Sequence, residues 1–338
     1  MSKDINKNKD INKNKDINNN KDICKGKPIA LEGIRTSSLG ERKSKVSLAD
    51  IGQTWDKGQP LSEFLKRLPA VLGAADLREV VRRICRAREQ DRPVLLGMGA
   101  HPIKVGLSPI IIDLMERGVL NGVAMNGAGI IHDAEMALAG RTSEDVAESL
   151  ADGSFGMSHE TAHFLNRAIV RGREEDLGLG AAVGRALIRD NAPHIEQSIF
   201  AAGVRLGVPV TVHVALGTDI IHLHPSVDPA ATGSATHLDF RIFAGLVAAL
   251  EKGVYLNLGS AVLLPEIFLK AITLVRNLGH QVRDFTAVNM DFNRHYRPAV
   301  NVLERPTQGG GKGFELIGHH EIMFPLLAAA VIESLDST

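Results

Sequence analysis

From residue 93 onward the chain alternates short, continuous apolar runs with longer stretches whose apolar residues recur every three or four positions. The short runs are 93–99 (PVLLGMG), 120–129 (LNGVAMNGAG), 207–219 (GVPVTVHVALGTD), 253–261 (GVYLNLGSA) and 285–291 (FTAVNMD), each leading into Gly, Asn, Asp or His. Runs of this length, apolar at both odd and even positions, are strands buried on both faces. The longer stretches, 108–117, 158–171, 180–189, 195–206, 237–250 and 262–278, have the helical period, and so do 61–68 and 75–88 ahead of the first strand. Strands and helices in alternation predict an α/β protein, with a doubly wound, mainly parallel, Rossmann-like sheet preceded by N-terminal helices. Ligands of such sheets bind at the carboxyl ends of the strands, which is where the polar residues fall.

The first 45 residues break this pattern. KDINKN, KDINKN, KDINNN and KDIC follow one another from residue 3 to 24, with a single Ile in each unit. One apolar residue in six buries no core, and the unit is too short for a solenoid. Residues 1–45 are therefore expected to be a disordered low-complexity tail, and 46–338 one catalytic domain. The tail lacks the apolar segment of a secretory signal or membrane span, so a cytoplasmic protein is expected. Apolar residues make up 44% of the 338 and charged ones 23%, enough for a large core. Lys plus Arg equals Asp plus Glu, 39 of each, so no net field draws the chain to nucleic acid or to an anionic membrane. A small substrate is expected instead. Cys24 and Cys85 are the two cysteines and stand in no metal-binding spacing, as in a reducing compartment.

The candidate chemistry lies at the strand ends. GMGAHP offers Gly97 and Gly99 after the first strand without the third glycine of a dinucleotide fingerprint, and NGAG adds a second small-residue turn at 126–129. Two such turns favour close approach by a nucleotide. His132 and Asp133 follow the second turn. The segment 213–225 carries His213, Asp219, His222 and His224, so a metal-dependent hydrolase or lyase is weighed as an alternative, as is a non-catalytic nucleotide-binding module. No i, i+4 or CxxC pair supports the metal reading, and none is assigned. Lys312, inside a glycine run, reads as an amine on a flexible loop; Lys104 competes with it. His319 and His320 open a final helix, as a cap or as contacts to a neighbour.

In order, these motifs resemble deoxyhypusine synthases. The resemblance is carried by residues 99–138 (GAHPIKVGLSPIII onward), 207–225, 259–279 (GSAVLLPEIFLK onward) and 319–331 (HHEIMFPLLAAAV), in register from about 75 to 335. It implies NAD as cofactor and an amine, polyamine or amino acid substrate, which is oxidised and passed on as an aminoalkyl group through an imine. It also implies a tetramer. Cofactor contacts would fall at Gly99, Ala100, His101, Asn126, Gly127, Ala128, Asp133, Asp219, Gly259 and Asp291, with Gly97 in the same turn. Asp219 would bind the substrate ammonium, His132 or His222 would move protons, and Lys312 would be the covalent amine. Where the family has Lys-His-His this chain has Leu264, Pro265 and Glu266, and its Trp-Gly-Lys becomes Gly310, Gly311 and Lys312. A reaction other than protein hypusination is therefore expected.

Overall fold

The computed structural model describes residues 28–335, so the KDIN repeat lies outside it. The chain divides into two units at Ser47/Leu48. Among the described residues of the first, 28–47, there is no helix or strand. Among the described residues, the second unit holds all the regular elements.

Two helices, α1 (Leu61–Arg67) and α2 (Leu72–Glu89), precede β1 (Val94–Met98). After β1 come α3 (His101–Lys104), α4 (Ser108–Glu116), β2 (Gly122–Asn126), α5 (Gly127–Ala139), α6 (Val146–Asp152), α7 (His159–Glu174), α8 (Leu179–Arg189) and α9 (Ile199–Leu206). The remainder is β3 (Val210–His213), α10 (Pro229–Ala248), β4 (Val254–Leu258), α11 (Leu263–Asn277), β5 (Thr286–Asp291), a π-helix (Ala299–Glu304), β6 (Lys312–Ile317) and α12 (His320–Ser334). None of the described helices is long and apolar enough to cross a membrane.

The six strands form one sheet in the order β3-β2-β1-β4-β5-β6, and every neighbouring pair is parallel. Alternate strand residues enter two cores. Leu96, Met98, Val123, Met125, Leu256 and Met290 pack with α2, α4, α5 and α12, whereas Leu95, Ala124, Tyr255 and Ala287 pack with α10 and α11. The sheet is thus doubly wound, with both faces covered. Strand order reverses between β1 and β4, which opens a crevice at their carboxyl ends.

Local signals place several boundaries where apolar period alone did not. Helix α10 begins eight residues ahead of the periodic stretch because Asp228 caps the Ala230 and Ala231 N–H groups, each at 2.9 Å, with Pro229 in the first turn. The stretch expected as one helix over 195–206 is a 3-10 turn, Ile195–Gln197, and then α9, capped by Ser198. The small-residue turn at 126–129 is the start of a 13-residue helix: Asn126 Oδ1 accepts from the Gly129 N–H at 3.2 Å, and Gly140 ends it in the left-handed region at φ 67°.

Candidate functional site

At the switch point the backbones of two strands nearly touch. The Gly99 N–H donates to the Leu258 carbonyl at 3.2 Å, and a Cβ on Gly99 would lie 2.6 Å from the Gly259 carbonyl oxygen. Gly259 has φ +62°, and a Cβ there would lie 2.6 Å from His320 Cε1. Both positions therefore exclude a side chain. The space is taken by His320, 1% exposed, whose ring lies against the Met290 carbonyl and has no hydrogen bond of good geometry to another side chain. Its Nε2 is 3.8 Å from Oδ1 of buried Asp291, which also accepts from the Phe292 N–H at 2.8 Å. The exposed His101 ring meets His320 edge-on at 5.3 Å between centroids, and Phe292 packs against both rings. Burial lowers the pKa of His320, opposed by Asp291.

Next to this crevice is a cavity of 290 Å³. Ala128, His132 and Glu135 line one side of it from α5, at the four- and three-residue spacing that puts them on one helix face. Lys104, Glu144 and Asp219 line the rest. Asp219 follows β3 and lies against the first turn of α5; a Cβ on Gly127 would meet Asp219 Oδ2 at 1.9 Å. That oxygen is buried without a partner, and burial raises the carboxyl's pKa against the opposing effects of His222 and Thr218.

A hydrogen-bonded chain organises the cavity floor. The Thr142 hydroxyl donates to Glu135, and His132 Nδ1 lies 2.6 Å from the same oxygen of Thr142. With its proton given to Glu135, Thr142 can only accept from His132, so the neutral ring carries Nδ1–H and keeps its lone pair on Nε2. Thr161 donates to the other Glu135 oxygen at 3.0 Å, and Glu144 accepts from the Gly156 N–H at 2.8 Å. Burial lowers the His132 pKa, with Glu135 opposing and Lys104 adding to the effect. Three carboxylates therefore face one lysine and one imidazole, an arrangement that favours a cation.

Of the residues singled out from sequence, Gly99, Ala100, His101, Asn126, Gly127, Ala128, Gly259 and Asp291 gather at the carboxyl ends of β1, β2, β4 and β5, with Asp219 and His132 beside them. Four others do not face either space. Gly97 is inside β1, where a Cβ would meet the Tyr255 hydroxyl at 2.1 Å; it is glycine to admit that ring. Asp133 is fully buried on the far side of α5, accepting from Ser198 Oγ and, at 2.8 Å, from the Ile199 N–H at the start of α9. It is a helix cap, with a pKa that burial pushes up to about 7. His222 turns its Nδ1 to the Gly217 N–H at 3.2 Å.

Lys312 requires the largest correction. It is not on a loop but is the first residue of β6, in register with Thr286, the first residue of β5. Asp291 marks the carboxyl end five residues later, about 16 Å away at the rise of a parallel strand. Lys312 is exposed at the opposite edge of the sheet, its Nζ 4.8 Å from the Phe314 ring centroid, and cannot reach the crevice of its own chain. Among the described residues no three His, Cys, Asp or Glu side chains converge to hold a metal ion. His213 bonds Thr211 at 3.1 Å and packs on Phe243, while His224 bonds Ser226 at 2.7 Å.

Glu135, Glu144 and the role of His320 escaped the sequence. The i, i+3 pair of His132 and Glu135 was a usable signal; Glu144 and His320 reach the site only through tertiary packing.

No family model matches the chain. A probable deoxyhypusine synthase from Methanopyrus kandleri is 26% identical over 303 residues, which span 81% of this chain and 95% of that protein. The chain thus resembles deoxyhypusine synthases in sequence over most of its described length. A similar fold is seen in a solved structure of a candidate deoxyhypusine synthase from Entamoeba histolytica, 14% identical, with a TM-score of 0.52 and coverage of 84% of this chain and 96% of that one. ArgZ, a cyanobacterial arginine dihydrolase, is 15% identical with a TM-score of 0.48; 79% of this chain is covered, and it spans 34% of that longer protein.

Proposed function

We propose that the protein is an NAD-dependent enzyme of the deoxyhypusine synthase type that oxidises a cationic amine or polyamine and transfers its aminoalkyl group through an imine, with an acceptor other than a protein lysine. The observation that carries this reading is the juxtaposition of an acidic cavity, holding Asp219 with an unpartnered buried oxygen, and the close approach of the strand ends at the sheet's switch point, where Gly99 and Gly259 admit no side chain of their own.

The crevice suits a dinucleotide. Gly99 and Gly259 bring the ends of β1 and β4 together without side chains, and α5 begins at Gly127 with only the Gly129 N–H capped by Asn126 among the side-chain contacts at its first turn. Residues that would hold NAD are Gly99, Ala100, His101, Asn126, Gly127, Ala128, Gly259 and Asp291. When bound, NAD supplies a two-electron acceptor for the hydride on the carbon that bears the amine.

The chain's own residues supply the rest. Asp219 binds the substrate ammonium, a charge-assisted contact worth about 1.5–3 kcal/mol. His132, with its lone pair on Nε2, takes the proton that the amine nitrogen loses as the imine forms. Glu135 and Thr142 hold that ring in its tautomer, and Glu144 adds to the field selecting cations. Assembly as a homo-oligomer belongs to the same reading.

A thermal-shift panel of NAD, NADP, spermidine, putrescine and zinc tests it. NAD should raise the unfolding midpoint, and a di- or polyamine should raise it further. Stabilisation by zinc with no response to NAD contradicts the proposal.

A further inference from the structure

Lys104, to which the proposed chemistry gives no role, ends helix α3 and lines the 290 Å³ cavity together with Glu135, Glu144 and Asp219. Its charge reaches the His132 ring and helps to lower that ring's pKa, yet among the described residues no carboxylate is in ion-pair contact with its ammonium. A lysine that shares so small a space with three carboxylates and touches none of them leaves a gap for a ligand to span.

The hydrogen bonds already made decide what fits that gap. Both Glu135 oxygens accept from threonine hydroxyls, those of Thr142 and, at 3.0 Å, Thr161. Glu144 commits one oxygen to the Gly156 N–H at 2.8 Å and keeps the other, and Asp219 Oδ2 is buried with no partner. Two carboxylates with an oxygen to spare and one lysine remain, the complement of two ammonium groups and one carboxylate. We infer that the amine taken by this site is a diamino acid, an α-amino acid with a second amine on its side chain, and that Lys104 binds its carboxylate while Asp219 and Glu144 bind its ammonium groups. The inference rests on the proposed amine-oxidising function and names the substrate class of that same site.

A simple diamine satisfies the two acids but brings further positive charge near Lys104 with nothing to neutralise it, and like charges in a space shielded from water repel. A diamino acid removes that cost and adds a charge-assisted hydrogen bond. The size agrees: at 290 Å³ the cavity stands just below the about 300 Å³ at which small-molecule pockets begin, room for a short chain. Lys104 is thus a specificity-determining residue. It reads the carboxylate and takes no part in the hydride or proton transfer.

The test uses matched pairs that differ only by the carboxylate, L-ornithine with putrescine and L-lysine with cadaverine, titrated calorimetrically into the full-length protein with NAD present. In at least one pair wild type should bind the amino acid about tenfold or more tighter than its diamine, one charge-assisted hydrogen bond's worth. Lys104→Met, which keeps the length of the side chain and drops its charge, should lose that preference, its affinity for the amino acid falling about tenfold towards that for the diamine. Lys104→Arg should keep it. The wild-type comparison stands by itself if a variant misfolds. Wild type that binds neither amino acids nor diamines refutes the parent reading and this inference with it. Wild type that binds both diamines as tightly as their amino acids, or a Lys104→Met protein that retains the preference, refutes this inference alone.

Discussion

Replacing Asp219 with asparagine should weaken amine binding and leave the fold intact or firmer. Asp219 is 8% exposed, lies against the backbone of Gly127 and carries one oxygen without a partner. Asparagine keeps the shape and removes the charge. The loss is a charge-assisted hydrogen bond to an ammonium, about 1.5–3 kcal/mol, which is about a tenfold to hundredfold rise in Kd. Stability should move the other way. Burial raises the folded-state pKa of this carboxyl, so ionising it opposes folding, and stability is lost as pH rises through that pKa. The variant has no such charge to bury. Calorimetry with putrescine and spermidine in the presence of NAD, together with thermal unfolding at pH 7.5, reads both quantities. An Asp219→Asn protein that binds amines as wild type does, or that loses affinity and stability together, refutes the assignment.

Three other outcomes follow from the same geometry. Lys312→Ala should keep NAD and amine affinities within about twofold, since the residue stands at the amino end of the sheet; a larger loss in calorimetry would require Lys312 to enter a site formed with another subunit. Gly97→Ala should cost about 1–3 kcal/mol in urea unfolding, because its methyl would overlap the Tyr255 hydroxyl, whereas Tyr255→Phe, which deletes a buried hydroxyl without a partner, should cost nothing or stabilise. His213, held at about 4 by burial, binds no proton in the folded state between that value and the ordinary histidine pKa, so its contribution to stability is lost as pH falls from about 6.5 through 4. His213→Gln should accordingly lose less urea stability than wild type between pH 7.5 and 5.0; an equal loss would contradict the burial of that ring as the cause.

What could be read from the sequence was what repeats locally. Apolar runs such as VLLGM and VYLNL are buried on both faces, so their composition announces a parallel sheet, and the glycines that end them mark the switch point. The gathering of Gly99, Asn126 and Gly259 at one end of the sheet was legible for the same reason, since each follows a strand. The errors at Lys312, Asp133 and Gly97 have a different origin. A glycine run around a lysine looks alike whether it is a loop over a ligand or the turn into an edge strand; only the pairing of Lys312 with Thr286 tells them apart. Asp133 follows a nucleotide-like turn by sequence, but helix α5 turns successive residues through about 100°. His132 then faces the cavity and Asp133 faces α9. Gly97 and Gly99 read alike in a string, yet one makes room for a tyrosine and the other for a neighbouring backbone. Glu144 and His320 join the site across long stretches of chain, and no local pattern signals that.

Calorimetric titration of NAD into the wild-type protein, followed by spermidine or putrescine into the NAD complex, tests the central claim most directly. A saturable NAD isotherm and amine binding that tightens when NAD is present are the predicted results. Amine binding indifferent to Asp219→Asn, or no heat with NAD at any concentration up to millimolar, would contradict it.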